Sequence, residues 1–345
     1  MTNKQLIGFS FALFVYFLIT LTPQAYAEEF DFQVKPIFPE TQIGDAGYYH
    51  LQGNPNESIT LQAEISNQSE SEQTVVINSM NAFSGSQGIL YQEKPVLTGS
   101  AILEEGYQFK SAVSHPEEVT LAPSESTVVD VAVTVPNLSG TLLGSLSFQV
   151  FKGTDSLTTE TENSQLLIDE YRAINLGVQI DVTEYADTPD LAFSTPHFSP
   201  EQIALMVPMA NNHPVIVENI SGTYEITKTG EPDFSLTGEI PLFKMAPVTT
   251  FDYPINWANE PLTTGTYLLS STFDVNGIAQ TFEDEFVIED SELEDTQKAK
   301  EERGEVEVEK ESFPWLIAVI GLLLALIVAL LIIIAVKFRK LKTKE

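Results

Sequence analysis

Residues 58–66 read SITLQAEIS, in which polar and apolar side chains alternate at every position. Successive side chains of a β-strand point to opposite faces of its sheet, so this period of two predicts a strand with one buried and one solvated face. Residues 129–135 (VDVAVTV) and 174–182 (INLGVQIDV) repeat the pattern. Such segments are typical of antiparallel sheets with one face toward a core.

Short runs of this kind, separated by Gly, Pro, Asn and Ser, fill most of residues 28–290. They predict an all-β chain with two immunoglobulin-like β-sandwich domains, at residues 28–155 and 164–290. The boundary lies there because residues 153–163 are polar, with a single apolar side chain. The alternative is that this stretch belongs to a long hairpin between Phe148 and Ile174. Residues 160–168 are the best candidate for a helix.

The end of the chain has a different character. Residues 291–314 are rich in charge and predict a solvated acidic stalk, with a charged single helix as the alternative. Residues 315–336 are 22 consecutive uncharged residues, of which sixteen are Leu, Ile or Val. At about 1.5 Å per residue, a helix of this length crosses a hydrocarbon core of about 30 Å. The alternative is a buried core helix.

Both ends of the chain predict its topology. Residues 1–27 have the features of a signal peptide: Lys4 near the start, an apolar run over 6–21, and small residues before the cleavage site at Ala27. The alternative is an uncleaved signal anchor. Basic residues fill 337–345, and the positive-inside rule predicts that this tail is cytoplasmic. We therefore expect a single-pass cell-membrane protein whose N-terminal domains are extracellular.

Charge and cysteine content limit the function classes. Eleven of the 17 basic residues but 48 of the 49 acidic ones lie between the predicted signal peptide and the cytoplasmic tail, a formal net charge of −37. Such a surface repels nucleic acid. The chain has no cysteine, which excludes thiol catalysis and cysteine-ligated metals. An exported chain without disulfides favours a bacterial origin.

Motifs for catalysis are missing. The four histidines form no His-Glu-x-x-His pair, and the chain contains neither a Gly-x-Ser-x-Gly elbow nor a P-loop lysine. The carboxylates are dispersed along the chain, which indicates a solvated acidic face. The sequence therefore predicts a binding protein with no catalytic residues, no cofactor and no metal site.

Exposed aromatic side chains are the best candidates for ligand contacts. Tyr48 and Tyr49 are adjacent, so in a strand they face opposite sides, one toward the core and one toward solvent. The alternative is that both pack on the sandwich edge. Phe83 and Tyr91 complete the set of candidate contacts. An exposed tyrosine offers an apolar ring with a polar tip, which suits a sugar or a protein partner.

Several segments resemble the WxL-interacting proteins, cell-surface proteins of low-GC Gram-positive bacteria. The resemblance covers nearly all of residues 30–290 and departs from the family pattern at Thr264, where a proline is expected, and at residues 248–250. The segments that resemble the N-terminal domain are 36–43 (PIFPETQI), 47–51 (GYYHL), 81–83 (NAF) and 88–91 (GILY), and those that resemble the second domain are 211–214 (NNHP), 245–251 (MAPVTTF) and 262–267 (LTTGTY).

The resemblance implies a membrane-anchored adaptor. Its first domain would bind peptidoglycan, its second host components such as extracellular matrix proteins, and the whole would act with WxL-domain surface proteins. The alternatives are an assembly factor that lends a sheet edge to exported β-rich proteins, or a cell-wall carbohydrate-active enzyme. Because Gram-positive walls are themselves anionic, an acidic domain would have to bind them through aromatic stacking and hydrogen bonds, or through bridging divalent cations.

Overall fold

The computed structural model describes residues 31–158, 165–257 and 261–303. Two β-sandwiches follow one another, which confirms the predicted β-sheet fold. The first contains the short helix α1 (Phe109–Ala112). Its strands are β1 (Phe32–Ile37), β2 (Tyr49–Gln52), β3 (Ser58–Asn67), β4 (Gln73–Gly85), β5 (Gly88–Gln92), β7 (Val113–Ser114), β8 (Glu118–Leu121), β9 (Ser126–Thr134), β10 (Thr141–Thr158) and β11 (Gln165–Asp181), while β6 (Ala101–Ile102) pairs elsewhere.

The first sandwich packs a four-stranded sheet against a six-stranded one. The four-stranded sheet has the order β1-β3-β9-β7, and the six-stranded sheet has the order β2-β11-β10-β4-β5 with β8 beside β4. The apolar residues of the alternating segment face the core as expected, since Leu61, Ala63 and Ile65 of β3 are buried between the sheets. Gly144 is required on β10, because a Cβ there would overlap the ring of Phe109.

Strands β10 and β11 form a long antiparallel hairpin, paired from Thr141 and Asp181 to Thr158 and Gln165. Residues 165–181 are therefore part of the first sandwich by strand pairing, and the helix predicted over 160–168 is wrong at residues 165–168. The predicted bounds of 155 and 164 fall at the far end of this hairpin. A polar stretch marks the end of a hairpin as readily as it marks a linker, because both are solvated.

The second sandwich packs a sheet with the order β12-β14-β17, with β13 also on β14, against a sheet with the order β16-β15-β18-β19. Tyr267 is fully buried at the start of β18, and its hydroxyl donates to the carbonyl oxygen of Thr263 at 2.7 Å. The strands are β12 (Ala192–Phe193), β13 (His197–Ser199), β14 (Ala204–Asn211), β15 (Val217–Lys228), β16 (Glu231–Met245), β17 (Thr249–Asn256), β18 (Gly265–Val275) and β19 (Ile278–Ile288).

The two sandwiches share a buried junction. Strand β6, which precedes much of the first sandwich in sequence, pairs with β17 of the second. The Ser84 hydroxyl accepts a hydrogen bond from the Ala246 N–H at 2.9 Å and lies 2.5 Å from the Thr249 hydroxyl. Thr249 donates to the Ala246 carbonyl at 2.8 Å, so Ser84 is the donor to Thr249. Every polar group of this buried circuit is satisfied, which holds the sandwiches in one arrangement.

Helix α2 (Asp290–Glu302) follows the second sandwich and begins with a capping box between Glu289 and Glu292. Leu293 packs against the core of the second sandwich, and Thr296 is buried. The described part of the predicted stalk is thus a helix docked on the sandwich. Among the described residues, none of the helices has the length and apolar content needed to span a membrane. The predicted signal peptide, transmembrane segment and tail lie outside the described residues.

Candidate functional site

The structure separates the four aromatic residues that the sequence singled out. Tyr49 is fully buried, and its hydroxyl donates to the carbonyl oxygen of Gln62 at 2.7 Å. Burial raises the pKa of Tyr49 to about 12. Phe83 is buried as well, with 3% of its surface exposed. These two rings belong to the interior, which leaves Tyr48 and Tyr91 to form a surface.

Tyr48 lies on the opposite face of the six-stranded sheet from Tyr49, and 38% of it is exposed. Its ring stacks on the ring of His50, with 6.2 Å between the centroids and 20° between the planes. Tyr48 therefore presents one aromatic face to solvent while the other contacts the protein. Such a ring is held in place without being covered, which is what stacking on a ligand requires.

Glycine at position 177 makes room for Tyr48. A Cβ at Gly177 would lie 3.3 Å from the Cβ of Tyr48, tighter than an ordinary contact. Gly177 pairs across the hairpin with Ser145 of β10. The Ser145 hydroxyl is buried and, within the described part of the chain, has no hydrogen-bond partner. Ser145 is thus enclosed at the base of the site, beside Gly177, and the groups that a ligand can reach lie above it.

Tyr91 of β5 completes this end of the face. It is half-buried and packs against Ala82, Leu143 and Ala246, the small apolar cluster that continues into the second sandwich. Burial raises the pKa of Tyr91, and the nearby Tyr48 contributes to the same shift. The two tyrosines are thus close enough to interact, although 43 positions separate them in the sequence. We call Tyr48, His50, Ser145, Gly177 and Tyr91 the tyrosine site.

A polar network orients the imidazole under Tyr48. His50 Nε2 lies 2.6 Å from a carboxylate oxygen of Asp181. The other oxygen of Asp181 accepts hydrogen bonds from the Thr141 hydroxyl at 2.8 Å and from the Gln179 amide at 3.2 Å. The Thr141 N–H in turn donates to the Pro214 carbonyl of the second sandwich at 2.7 Å. The network occupies hydrogen-bonding groups of His50 and Asp181, so these two side chains hold the imidazole in place.

The chemistry available at the tyrosine site is that of recognition. It offers the aromatic rings and hydroxyl groups of Tyr48 and Tyr91, with no Lys or Arg among its residues. In the residues that the structure describes, no group of three His, Asp or Glu side chains is placed to hold a metal ion. Sites of this composition suit uncharged, hydroxyl-rich ligands such as sugars.

Sequence reasoning found Tyr48 and Tyr91 but missed the other members of the site. Gly177 lies in the alternating segment 174–182, where a glycine at an outward position is an available signal for a close approach. Nothing local marks Ser145, because its burial depends on neighbouring strands. In the second sandwich, residues 245–251 are nearly all buried and form part of the junction, so this stretch has a structural role.

An acidic surface lies on the outer face of the second sandwich's four-stranded sheet. Glu225, Glu239 and Glu283 line a shallow groove there together with threonine and serine side chains. The Ser235 hydroxyl donates to Glu225 at 2.9 Å, and the Ser270 hydroxyl donates to Glu283 at 3.3 Å. The tyrosine site and this groove therefore differ in chemistry, since the first is aromatic and the second is acidic.

Comparison with known protein families gives two matches. Residues 32–150 match the family model described as WxL Interacting Protein, peptidoglycan binding domain. Residues 163–298 match the model described as WxL Interacting Protein, host binding domain. The tyrosine site lies on the first of these, except for Gly177, and the acidic groove lies on the second.

Among solved structures, several bacterial chaperones match the chain, each with a TM-score of about 0.3 or less. The CsuC–CsuE chaperone complex of Acinetobacter baumannii is 11% identical, with a TM-score of 0.30, over 73% of this chain and 97% of that one. The SafB chaperone complex of Salmonella enterica is 10% identical, with a TM-score of 0.29, over 76% and 98%. The E. coli chaperone DraB is 13% identical, with a TM-score of 0.26, over 73% and 98%. No curated protein sequence matches the chain.

Proposed function

Because the chain belongs to the WxL-interacting protein family, we propose that it is a cell-surface adaptor that holds peptidoglycan with its first sandwich and a host component with its second. The observation that carries this proposal is the presence of both matched binding domains on adjoining sandwiches. The buried circuit of Ser84, Ala246 and Thr249 supports it further, since it joins the two sandwiches into one connected unit.

The adaptor has a single membrane anchor in this proposal. Residues 315–336 cross the cell membrane, residues 337–345 are cytoplasmic and both sandwiches are extracellular, as the apolar and basic patterns of the sequence predict. WxL-domain surface proteins are the expected partners, as the family description implies. Matrix proteins are the expected host ligands, and nucleic acid is excluded by the acidic charge.

We assign wall binding to the tyrosine site and propose no catalytic role. Tyr48 offers a partly exposed ring for stacking and a hydroxyl group for hydrogen bonding. Neither contact requires a positive charge on the protein. An acidic chain can bind an anionic wall in this way, because stacking and hydrogen bonds to neutral sugars need no ion pair and are not weakened when salt screens the repulsion.

Cosedimentation with purified cell walls tests the proposal. The full-length chain in detergent should sediment with walls. Tyr48→Ala should bind about tenfold more weakly, since removing a tyrosine that the ligand covers on binding costs more than about 1 kcal/mol of binding free energy. Leu242→Ala, an exposed apolar residue of the second sandwich, is the matched control and should bind as the wild type does. A wild-type chain that stays in the supernatant contradicts the proposal. Release of soluble wall fragments would contradict the non-enzymatic role.

A further inference from the structure

We infer that the tyrosine site is one end of a longer glycan-binding face, on which a single glycan strand lies along β10 from Tyr48 to Phe151 and Tyr171. This inference rests on the proposed peptidoglycan binding and names the part of peptidoglycan that is recognised. The face is the outer surface of the six-stranded sheet, opposite the core side chains Leu146, Phe148 and Val150.

A second aromatic pair marks the other end of this face. Phe151 and Tyr171 are opposite one another on β10 and β11, with 5.3 Å between their ring centroids. Their exposed fractions are 51% and 52%, which is high for large apolar side chains in a soluble domain. Six residues of β10 separate Ser145 from Phe151, so the two aromatic ends lie about 20 Å apart at about 3.3 Å per residue. One sugar ring cannot contact both ends.

The floor between the two ends is neutral and rich in hydrogen-bonding groups. Side chains alternate on the strands, so each outward position of β4, β10 and β11 between the aromatic pairs can be read from the register. None of these positions, all within the described ranges, carries a charged residue. Those with amide, hydroxyl or glycine character are Asn78, Ser145, Ser147, Gln149, Asn175 and Gly177.

Two of the floor hydroxyls are buried. Ser145 and Ser147 are each only 1% exposed. Ser147 accepts a hydrogen bond from the Gln149 amide at 3.1 Å, whereas the Ser145 hydroxyl has no partner in the described residues. The floor groups that a ligand can reach are therefore the amides of Asn78, Gln149 and Asn175, which are partly or fully exposed and need hydrogen-bonding partners. A strand of sugars, with a hydroxyl or amide on each ring, supplies such groups at intervals along β10.

Charge placement selects the glycan over the stem peptides of peptidoglycan. Lys152 and Arg172 lie next to Phe151 and Tyr171 in sequence, but they point to the other side and pair with Asp31. The face itself therefore has no cation for a peptide carboxylate between its aromatic ends. Neutral sugar rings, stacked at both ends and hydrogen-bonded between them, match what this surface offers.

Binding of defined fragments to the full-length chain in detergent tests the inference by calorimetry. The probes are peptidoglycan glycans separated by length, in which the lactyl carboxylate left by removal of the stem peptide is capped as an amide so that the glycan stays neutral, together with free stem peptides. We expect affinity to rise at least about tenfold from the disaccharide to long glycans. Phe151→Ala/Tyr171→Ala should keep the disaccharide affinity and lose most of that gain. Asn175→Asp, which places a charge on the floor without removing a ring, should also weaken long glycans, and Leu242→Ala should change nothing.

Three outcomes overturn the inference. If walls bind the wild type while Phe151→Ala/Tyr171→Ala binds every glycan as tightly, the face ends at Tyr48 and only the adaptor proposal stands. If free stem peptides bind and stripped glycans do not, the ligand class is wrong. If the wild-type chain binds neither walls nor any fragment, the proposed function itself fails and this inference with it.

Discussion

Each sandwich has a buried asparagine at the end of a core strand, but the two asparagines have different surroundings. Asn67 ends β3, and its amide donates to the carbonyl oxygens of Ser71, Leu121 and Ala122 at 2.7 to 3.1 Å. Its side-chain oxygen accepts from the N–H two residues later, at Ser69. Asn211 has the corresponding position in the second sandwich, where it also bonds the turn after its strand. The two sandwiches therefore repeat a structural feature without repeating a sequence.

In the second sandwich the same arrangement reaches across the junction. Asn211 ends β14, its oxygen accepts from the His213 N–H at 2.9 Å, and its amide donates to Val215 and Ala246 at 2.8 Å. Ala246 is the residue whose N–H bonds to Ser84 of the first sandwich. All hydrogen-bond partners of the Asn67 side chain thus lie within the first sandwich. One partner of Asn211, by contrast, is Ala246, whose N–H is bonded to the first sandwich. The second sandwich should depend on the first more than the reverse.

Removing the two asparagines is the largest test of this asymmetry. Asn67→Ala and Asn211→Ala each leave several buried groups unpaired, and we expect each to cost about 3 kcal/mol or more. Hydrogen exchange read by mass spectrometry on the full-length chain locates the loss. Asn67→Ala should raise exchange throughout the first sandwich, and Asn211→Ala should raise it in the second and at β4 and β6. Asn54→Ala, an exposed asparagine, is the control, and equal effects of both variants at the junction would contradict the asymmetry.

Alkaline pH tests the interior of the first sandwich through Tyr49. Its pKa is raised by burial from 10.0 to about 12, so its contribution to stability is complete below pH 10 and is lost as pH rises toward 12. The shift corresponds to about 2 to 3 kcal/mol. Tyr49→Phe, measured by chemical unfolding at each pH, should lose less stability than the wild type over that range. Equal slopes for the two chains would show that Tyr49 ionises freely in the folded state.

The junction itself is tested by Ser84→Ala, with a smaller expected effect. The change leaves the Ala246 N–H without its partner and should cost about 1 to 3 kcal/mol. Faster hydrogen exchange should appear in residues 245–249 before it appears in the six-stranded sheet. Thr74 lies on the same strand as Ser84, and Thr74→Ala, which removes an exposed hydroxyl contact to Thr120 of β8, serves as the control. Exchange that rises only in the first sandwich would contradict a shared junction.

The salt concentration should have the smallest effect on wall binding. Its effect distinguishes the tyrosine site from the acidic groove of the second sandwich. The tyrosine site has no Lys or Arg, whereas glutamates line the groove of the second sandwich. Wall binding should therefore change less than about twofold between about 0.05 and 0.5 M salt, or strengthen slightly as repulsion is screened. The measurement is cosedimentation with walls at each salt concentration. Loss of binding at high salt would show that ionic contacts or bridging cations dominate.

Periodicity predicted the β-sheet class because alternation is a local property of each strand. It also indicated that Tyr48 and Tyr49 face opposite sides, since adjacent residues in a strand must. It failed for residues 165–168, where polar and apolar residues in a short run fit either period. Phe83 shows a further limit: an aromatic side chain in a strand is equally suited to the core and to a ligand, and only its neighbours decide.

By itself the sequence determined the strand class, the acidic charge and the family, because these depend on side-chain pattern along the chain. The tertiary structure alone decided that Ser145 is buried, that Phe151 and Tyr171 lie at the far end of the face that carries Tyr48, and that β6 pairs with the second sandwich. Each of these depends on which strands become neighbours. Strand pairing between residues far apart is set by packing and register, which no local pattern records.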